Sequence, residues 1–314
     1  TMKTIFYYLP VVALLLTLGS CDNESESLGQ KAKTITVSTK ISNMHRLSAD
    51  AQGTELFDKG DEISVYGWIG DKTKVPTSAE LVIHNSVNRL DDNGKWVSMP
   101  QMLWKTNTDD HYFIGIYPKR QVDNLTHDLI EFDLTNQTNN DLLAAVNVAG
   151  YSFREDAGSD VPLTFSHLLS KVIVKLSFRN QLRTTPTVDS VVVASVKTRG
   201  YVNYLTKEII NPDQISSAPL KLPCESANVK YASVVLPIKQ ATGDGDASVI
   251  EVHIAGKVYT YRNPSGSFVF EPGKYTTINL IVGRDKLELG EVSVSPWSEG
   301  LNFNGEASEG FNER

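Results

Sequence analysis

The chain has 314 residues, of which 37 are acidic and 30 basic, giving a formal net charge of −7 with 40% hydrophobic side chains. That length supports a large apolar core and favours two domains over one. The acidic balance and the lack of a cationic stripe argue against a nucleic-acid partner, and two cysteines, Cys21 and Cys224, cannot build a zinc site.

Lys3 is followed by an apolar run from Ile5 to Leu18, interrupted by Pro10 and ending in Leu18, Gly19, Ser20 and Cys21. A spanning helix needs roughly 20 apolar residues, so this shorter run predicts a cleaved export segment over residues 1–20. Leu18 to Cys21 resembles a bacterial lipobox. The resemblance implies a mature protein that begins at Cys21, carries lipid there, and is held to the outer membrane without crossing it. With Cys21 acylated, Cys224 has no partner for an intramolecular disulfide. Asp22, Asn23, Glu24, Ser25, Glu26 and Ser27 open a polar tether over 21–33, too polar to bury. Acidic residues there resemble the surface-export signal of Bacteroidales lipoproteins, which implies the outer face of that membrane.

Beyond the tether, apolar residues recur with period 2 and almost nowhere with period 3.6, so the chain is expected to be all-β. Ile35, Val37, Thr39 and Ile41 share one face of a first strand, and Ile63, Val65 and Gly67 oppose Ser64, Tyr66 and Trp68 in a second. Asp91 to Gly94 is a hairpin turn between Leu90 and Trp96. His111 to Tyr117 is an aromatic strand stopped by Pro118, and Leu142 to Val148 is the next apolar run. Leu163, Phe165 and Val172 to Phe178 follow, with a turn or short helix at His167 to Ser170. The polar segment Arg179 to Thr187 reads as a linker, placing domains at 34–180 and 181–314. After it come strands at Val188 to Val196, Ala232 to Ile238, Val249 to Ala255, Val258 to Tyr261, Ser267 to Phe270 and Tyr275 to Val282, with turns at Thr242 to Asp246 and Asn263 to Gly266. Their short, turn-bounded spacing is that of a β-sandwich.

Four blocks resemble the fimbrillin family, the subunits and adhesins of type V pili. Phe57 to Tyr66 is similar to its "F-x-x-G-D-x-I-x-V" strand entry, and Tyr112 to Pro118 to its "Y-P" strand end. Asp141 to Ala145 precedes Leu163 to Val172, the most family-like stretch. Pro272 to Tyr275 and Val294 to Trp297 match the C-terminal pattern. The resemblance implies two tandem transthyretin-like β-sandwich domains, no catalytic site, and assembly with other fimbrial subunits by strand exchange. It also implies proteolytic removal of the first strand by a cut after an arginine in the following loop, where this chain has Arg46. Taken alone, Arg46 is a solvated loop arginine. A cut there would release the protein from its lipid and open a groove that a partner's strand fills. After Trp297 only Leu301, Phe303 and Phe311 offer apolar knobs, a short donor that leaves stalk, tip and anchor roles open.

Enzymatic motifs are missing. His45, His84, His111, His127, His167 and His253 show no metal-ligand spacing, and neither a metal nor a cofactor is expected. His167 is read as a structural hydrogen-bonding residue. Asp244 and Asp246 around Gly245 lack the remaining ligands of a calcium loop and read as a turn; Asp91, Asp92, Asp109 and Asp110 read as solvated turn acids. Trp68, Trp96, Trp104 and Trp297 are expected core anchors, with Trp96 or Trp104 able to stack on a sugar ring if exposed. Three classes therefore compete: a fimbrial subunit or adhesin with a host or bacterial surface receptor, a monomeric surface glycan-binding lipoprotein, and a surface hydrolase. The first accounts for the most residues.

Overall fold

The computed structural model describes residues 33–42, 57–132, 134, 141–153, 160–179, 186–210, 217–237, 249–263, 268–283, 286–296, 302–303 and 307–309, the last three groups for their backbone. The first half of the chain forms β1 (Thr36–Ile41), β2 (Glu62–Ile69), β3 (Ile83–Leu90), β4 (Trp96–Met99), β5 (His111–Tyr117), β6 (Asp128–Glu131), β7 (Leu143–Tyr151) and β8 (Asp160–His167). The second forms β9 (Ser170–Phe178), β10 (Val188–Lys197), β11 (Arg199–Asn203), β12 (Glu208–Ile210), β13 (Ser217–Lys221), β14 (Cys224–Ser226), β15 (Lys230–Val235), β16 (Val249–Ile254), β17 (Lys257–Arg262), β18 (Lys274–Val282), β19 (Lys286–Pro296), β20 (Asn302–Phe303) and β21 (Ala307–Glu309). Among the described residues the only helical turn is a 3-10 turn at Ser78–Glu80. The fold is all-β, as the period-2 pattern requires.

Seven strands make the first sheet, in the order β1, β8, β7, β5, β2, β3, β4. In β1 the alternation is clean: Val37 and Ile41 are buried while Thr36, Ser38 and Lys40 face out. β2 and β5 are buried along nearly their whole length instead. Both of their faces are covered, so both phases of the pattern are core. Ile63, Val65 and Phe113 face a cluster with Leu163 and Phe165. One residue out of phase, Tyr66, Trp68, Ile114 and Ile116 face a second cluster. Gly115 lies on the Phe113 side, where a Cβ would come within 2.8 Å of Phe165 Cζ and 3.1 Å of Leu163 Cδ1. Gly115→Ala is expected to push Phe165 out of place and cost about 1–3 kcal/mol. The readout is a lower urea midpoint at an unchanged slope.

The second sheet has eleven strands, ordered β13, β10, β16, β17, β21, β19, β20, β18, β9, β15, β14. It wraps a core that includes Val172, Val191, Ile250, Tyr261, Phe270 and Leu280. The domain expectation places its boundary after residue 180. β9, which that expectation puts in the first domain, pairs in parallel with β18 and antiparallel with β15. Arg179 to Thr187 thus connects β9 and β10, two strands of one sheet. The chain passes between the sheets at Leu168 and Leu169, both buried, and these two residues are the whole of the turn expected at His167 to Ser170. An apolar crossover gives no polar linker signal.

A third sheet of three strands, β12, β11, β6, combines the halves, with β6 from the first and β11 and β12 from the second. Beneath it Tyr66, Trp68, Ile130, Leu168, Val202 and Leu236 share one cluster. The crossover is pinned by a block far along the chain. Gly273 N–H donates to Leu169 O at 2.8 Å, and Ser170 Oγ donates to Lys274 O at 2.9 Å. Gly273 has φ +64° and little room for a Cβ, which would meet His167 O at 3.2 Å. Pro272-Gly273-Lys274 and His167 to Ser170, two of the resemblance blocks, therefore form one structural unit, and Lys33–Arg314 is compact as a whole.

Candidate assembly site

The seat of β1 is the candidate site. On one side β1 runs parallel to β8 in continuous register from Thr36↔Asp160 to Ile41↔Phe165. On the other side only its leading residues are paired, Ile35 N–H donating to Met102 O at 2.9 Å and Trp104 N–H to Lys33 O at 3.1 Å. β1 is thus the edge strand of the first sheet and also touches the segment after β4, at the opposite edge. The inward side chains of β1 and of the residue before it, Ile35, Val37 and Ile41, are 1%, 5% and 5% exposed and lie in the cluster with Phe165, Leu163 and Trp96. Thr39, the remaining inward position, accepts a hydrogen bond from Trp96 Nε1 at 2.9 Å. The seat is an apolar trough with one polar contact on its floor.

Two features frame the trailing end of β1. Ser42 donates twice to Phe165 O, through N–H at 2.9 Å and Oγ at 3.0 Å. Where the described chain resumes, Phe57 inserts between Trp96, Tyr117 and Phe165 with ring centroids 5.2–5.3 Å away, all edge-on. The block after it is built as a turn: Asp58 N–H donates to Asp61 Oδ2 at 2.8 Å, and Gly60 takes φ +90°, a conformation glycine adopts without steric cost. Asp61 Oδ1 also accepts from Tyr117 OH at 3.1 Å. The "F-x-x-G-D" block therefore packs on the wall of the trough through contacts to Trp96, Tyr117 and Phe165.

At the leading end His111 supports the segment that pairs with Lys33. Its Nε2 accepts from Lys105 N–H at 3.1 Å and its Nδ1 donates to Asp109 O at 2.9 Å, while Trp104 packs edge-on against the ring at 4.9 Å. This bonding requires the neutral imidazole. Burial depresses its pKa, against the opposing pull of the Asp109 carbonyl and carboxylate. In the unfolded chain a histidine titrates near 6.5, so the contribution of neutral His111 is complete above that pH and is lost as pH falls from there toward the depressed folded value. Urea midpoints are expected to fall between pH 7.5 and pH 5.5, and His111→Gln to remove part of that fall.

Cys21 and Arg46, the residues expected to carry lipid and to be cut, lie outside the described residues, as do Asp244, Asp246 and Trp297. His167 is buried with Nδ1 at 2.7 Å from Asp141 Oδ1, tying the start of β7 to the crossover in the structural role expected of it. Trp68 and Trp96 are core residues, 0% and 9% exposed, and Trp104 is half-buried. Asp91 closes its turn by accepting from the N–H groups of Asn93 and Lys95 at 2.8 Å. Among the described residues no group of His, Cys, Asp and Glu is arranged to hold a metal ion. Nor is any of their helices long and apolar enough to cross a membrane.

Sequence reasoning missed a polar network between the halves. Tyr66 OH donates to Arg120 O and accepts from Val122 N–H, both at 2.9 Å, and burial pushes its pKa up to about 12. Asp128 Oδ2 accepts from Tyr204 OH at 2.8 Å and from Arg120 Nη2 at 3.1 Å; burial raises both the carboxyl and the Tyr204 phenol. Arg120, Asp128 and Tyr204 lie too far apart in the chain for any local pattern to join them.

Residues 46–297 match the family model described as fimbrillin-like. A protein described as a cell adhesion protein from Bacteroides uniformis has a similar structure, with TM-score 0.63, 15% identity, and 84% of this chain and 98% of that one covered. A second such protein, from Bacteroides ovatus, gives TM-score 0.62 and 17% identity over 90% of this chain and 99% of that one. A fimbrial protein from Bacteroides vulgatus gives 0.51 and 12% over 88% and 99%. At these identities the likeness is one of fold. No curated protein matches the sequence.

Proposed function

The chain belongs to the fimbrillin-like family, and from that premise we propose that it is a surface-exposed lipoprotein, anchored to the outer membrane through Cys21, that becomes a fimbrial subunit or adhesin when a cut after Arg46 releases β1. Family membership places it with structural and adhesive proteins of cell-surface fimbriae. The finer steps rest on the β1 seat. An edge strand that buries three apolar side chains is followed at once by the segment holding the only arginine between β1 and β2. The Phe57 to Asp61 block packs on the wall of the trough through contacts outside β1. Loss of the strand leaves unpaired N–H and C=O groups on β8 and an apolar floor, the two elements of strand addition. The family match also begins at residue 46 and leaves β1 outside it.

The domain division in this proposal falls at Leu168 and Leu169, giving two β-sandwich domains that share the cluster around Trp68. Its partners are other fimbrial subunits, and for an adhesin a surface receptor. Glycan binding by a monomer would need an aromatic platform, and Trp96 is committed to the trough instead. Mass spectrometry of protein recovered from the cell surface tests the proposal. A mature terminus at Leu47 with a ladder of oligomers supports it; an acylated Cys21 terminus on a chain that stays monomeric after clean cutting at Arg46 overturns it.

A further inference from the structure

We infer that Trp96 selects which strand can occupy the trough, admitting an extended segment with three inward apolar residues and a side-chain oxygen at the position of Thr39. The inference rests on the proposal that β1 is replaceable, and it names the chemistry of the replacement. Trp96 is 9% exposed and its ring is packed edge-on by Phe57 at 5.3 Å, so with a strand in the trough its N–H faces that strand. Nε1 finds its acceptor in Thr39 Oγ1 at 2.9 Å. A replacement that brings an apolar side chain or none to that point strands a buried donor, which is more costly than a missing apolar contact. Discrimination of this kind comes from what the wrong partner leaves unpaired.

The inward pattern of β1 is Ile35, Val37, Thr39, Ile41, that is, apolar, apolar, hydroxyl, apolar. The chain's own tail reads Leu301, Phe303, Gly305, Ala307 at the same spacing, with glycine where the oxygen is required. Its β20 and β21 are moreover paired within the second sheet. The occupant is therefore a strand of a different subunit bearing Ser, Thr, Asn or Asp at its third inward position, and a second copy of this chain is a poor fit.

The test uses the full mature chain cut after Arg46 and labelled peptides that compete with the retained β1. Three peptides of residues 33–42 are compared, the natural one, Thr39→Ser and Thr39→Val, together with a tail peptide of residues 297–311. The natural and Thr39→Ser peptides are expected to bind alike, and Thr39→Val and the tail peptide about tenfold more weakly. On a Trp96→Phe protein, which lacks the donor but keeps an aromatic ring, the difference between the natural and Thr39→Val peptides is expected to vanish. Equal binding of the natural and Thr39→Val peptides to the unaltered protein overturns the inference while leaving strand replacement intact, and needs no protein variant. Binding of none of the peptides overturns strand replacement itself, and the inference with it.

Discussion

Cut after Arg46 and stripped of β1, the protein is expected to lose roughly 5–9 kcal/mol from its first sheet. Ile35, Val37 and Ile41 are each at least nineteen-twentieths buried, and burying such a side chain is worth about 1.5–3 kcal/mol. Natural domains hold only about 5–15 kcal/mol in total, so the stripped sheet is marginal. Tryptophan fluorescence during urea unfolding should show an early transition in the stripped protein, and adding the peptide of residues 33–42 should restore the late one. A midpoint that does not move on stripping would mean that β1 is an ornament of the fold. Under strand exchange β1 is instead a temporary strut, and instability after its loss drives capture of a partner's strand.

Trp68→Ala is expected to cost about 3–5 kcal/mol, the ordinary range for truncating a buried aromatic. Trp68 is fully buried, donates from Nε1 to Asp71 O at 3.0 Å, and packs against Tyr112 at 5.7 Å. Its cluster also contains Leu168 and Leu169 of the crossover and Val202 and Leu236 from beyond it. The cavity therefore weakens both halves at once, and calorimetry should show a single transition shifted down as a unit. Two transitions, with only one displaced, would show that the sandwiches melt independently and that the shared cluster carries little coupling.

Fold class was legible because strand periodicity is local. Ile35, Val37 and Ile41 announce one buried face without knowledge of what covers it, and Asp91 to Gly94 makes its own turn from side-chain contacts within the turn. The double burial of β2 and β5 was not legible, since whether Ser64 or Tyr66 faces solvent depends on the third sheet, whose strands come from distant parts of the chain. A division between the sheets is hard to read for a related reason. Polarity at Arg179 to Thr187 marks a connection inside a sheet, whereas the crossover at Leu168 and Leu169 is buried and reads as strand. Of the site, the inward face of β1 could be named from the sequence. The Trp96 to Thr39 hydrogen bond could not, because 57 residues separate its partners and nothing in either neighbourhood requires the other.

Stapling β1 in place tests the central claim most directly. Thr36 and Asp160 are register partners on exposed positions of β1 and β8, and neighbouring strands lie about 4.7–4.9 Å apart, within the span a disulfide bridges. Thr36→Cys with Asp160→Cys, and with the exposed Cys224 replaced by Ser, allows the chain to be cut after Arg46 while holding the strand in its seat. If β1 must leave for subunits to join, the oxidised protein stays monomeric after cutting and forms oligomers once the disulfide is reduced. Oligomers that form equally well with the staple closed would contradict assembly through the vacated seat of β1.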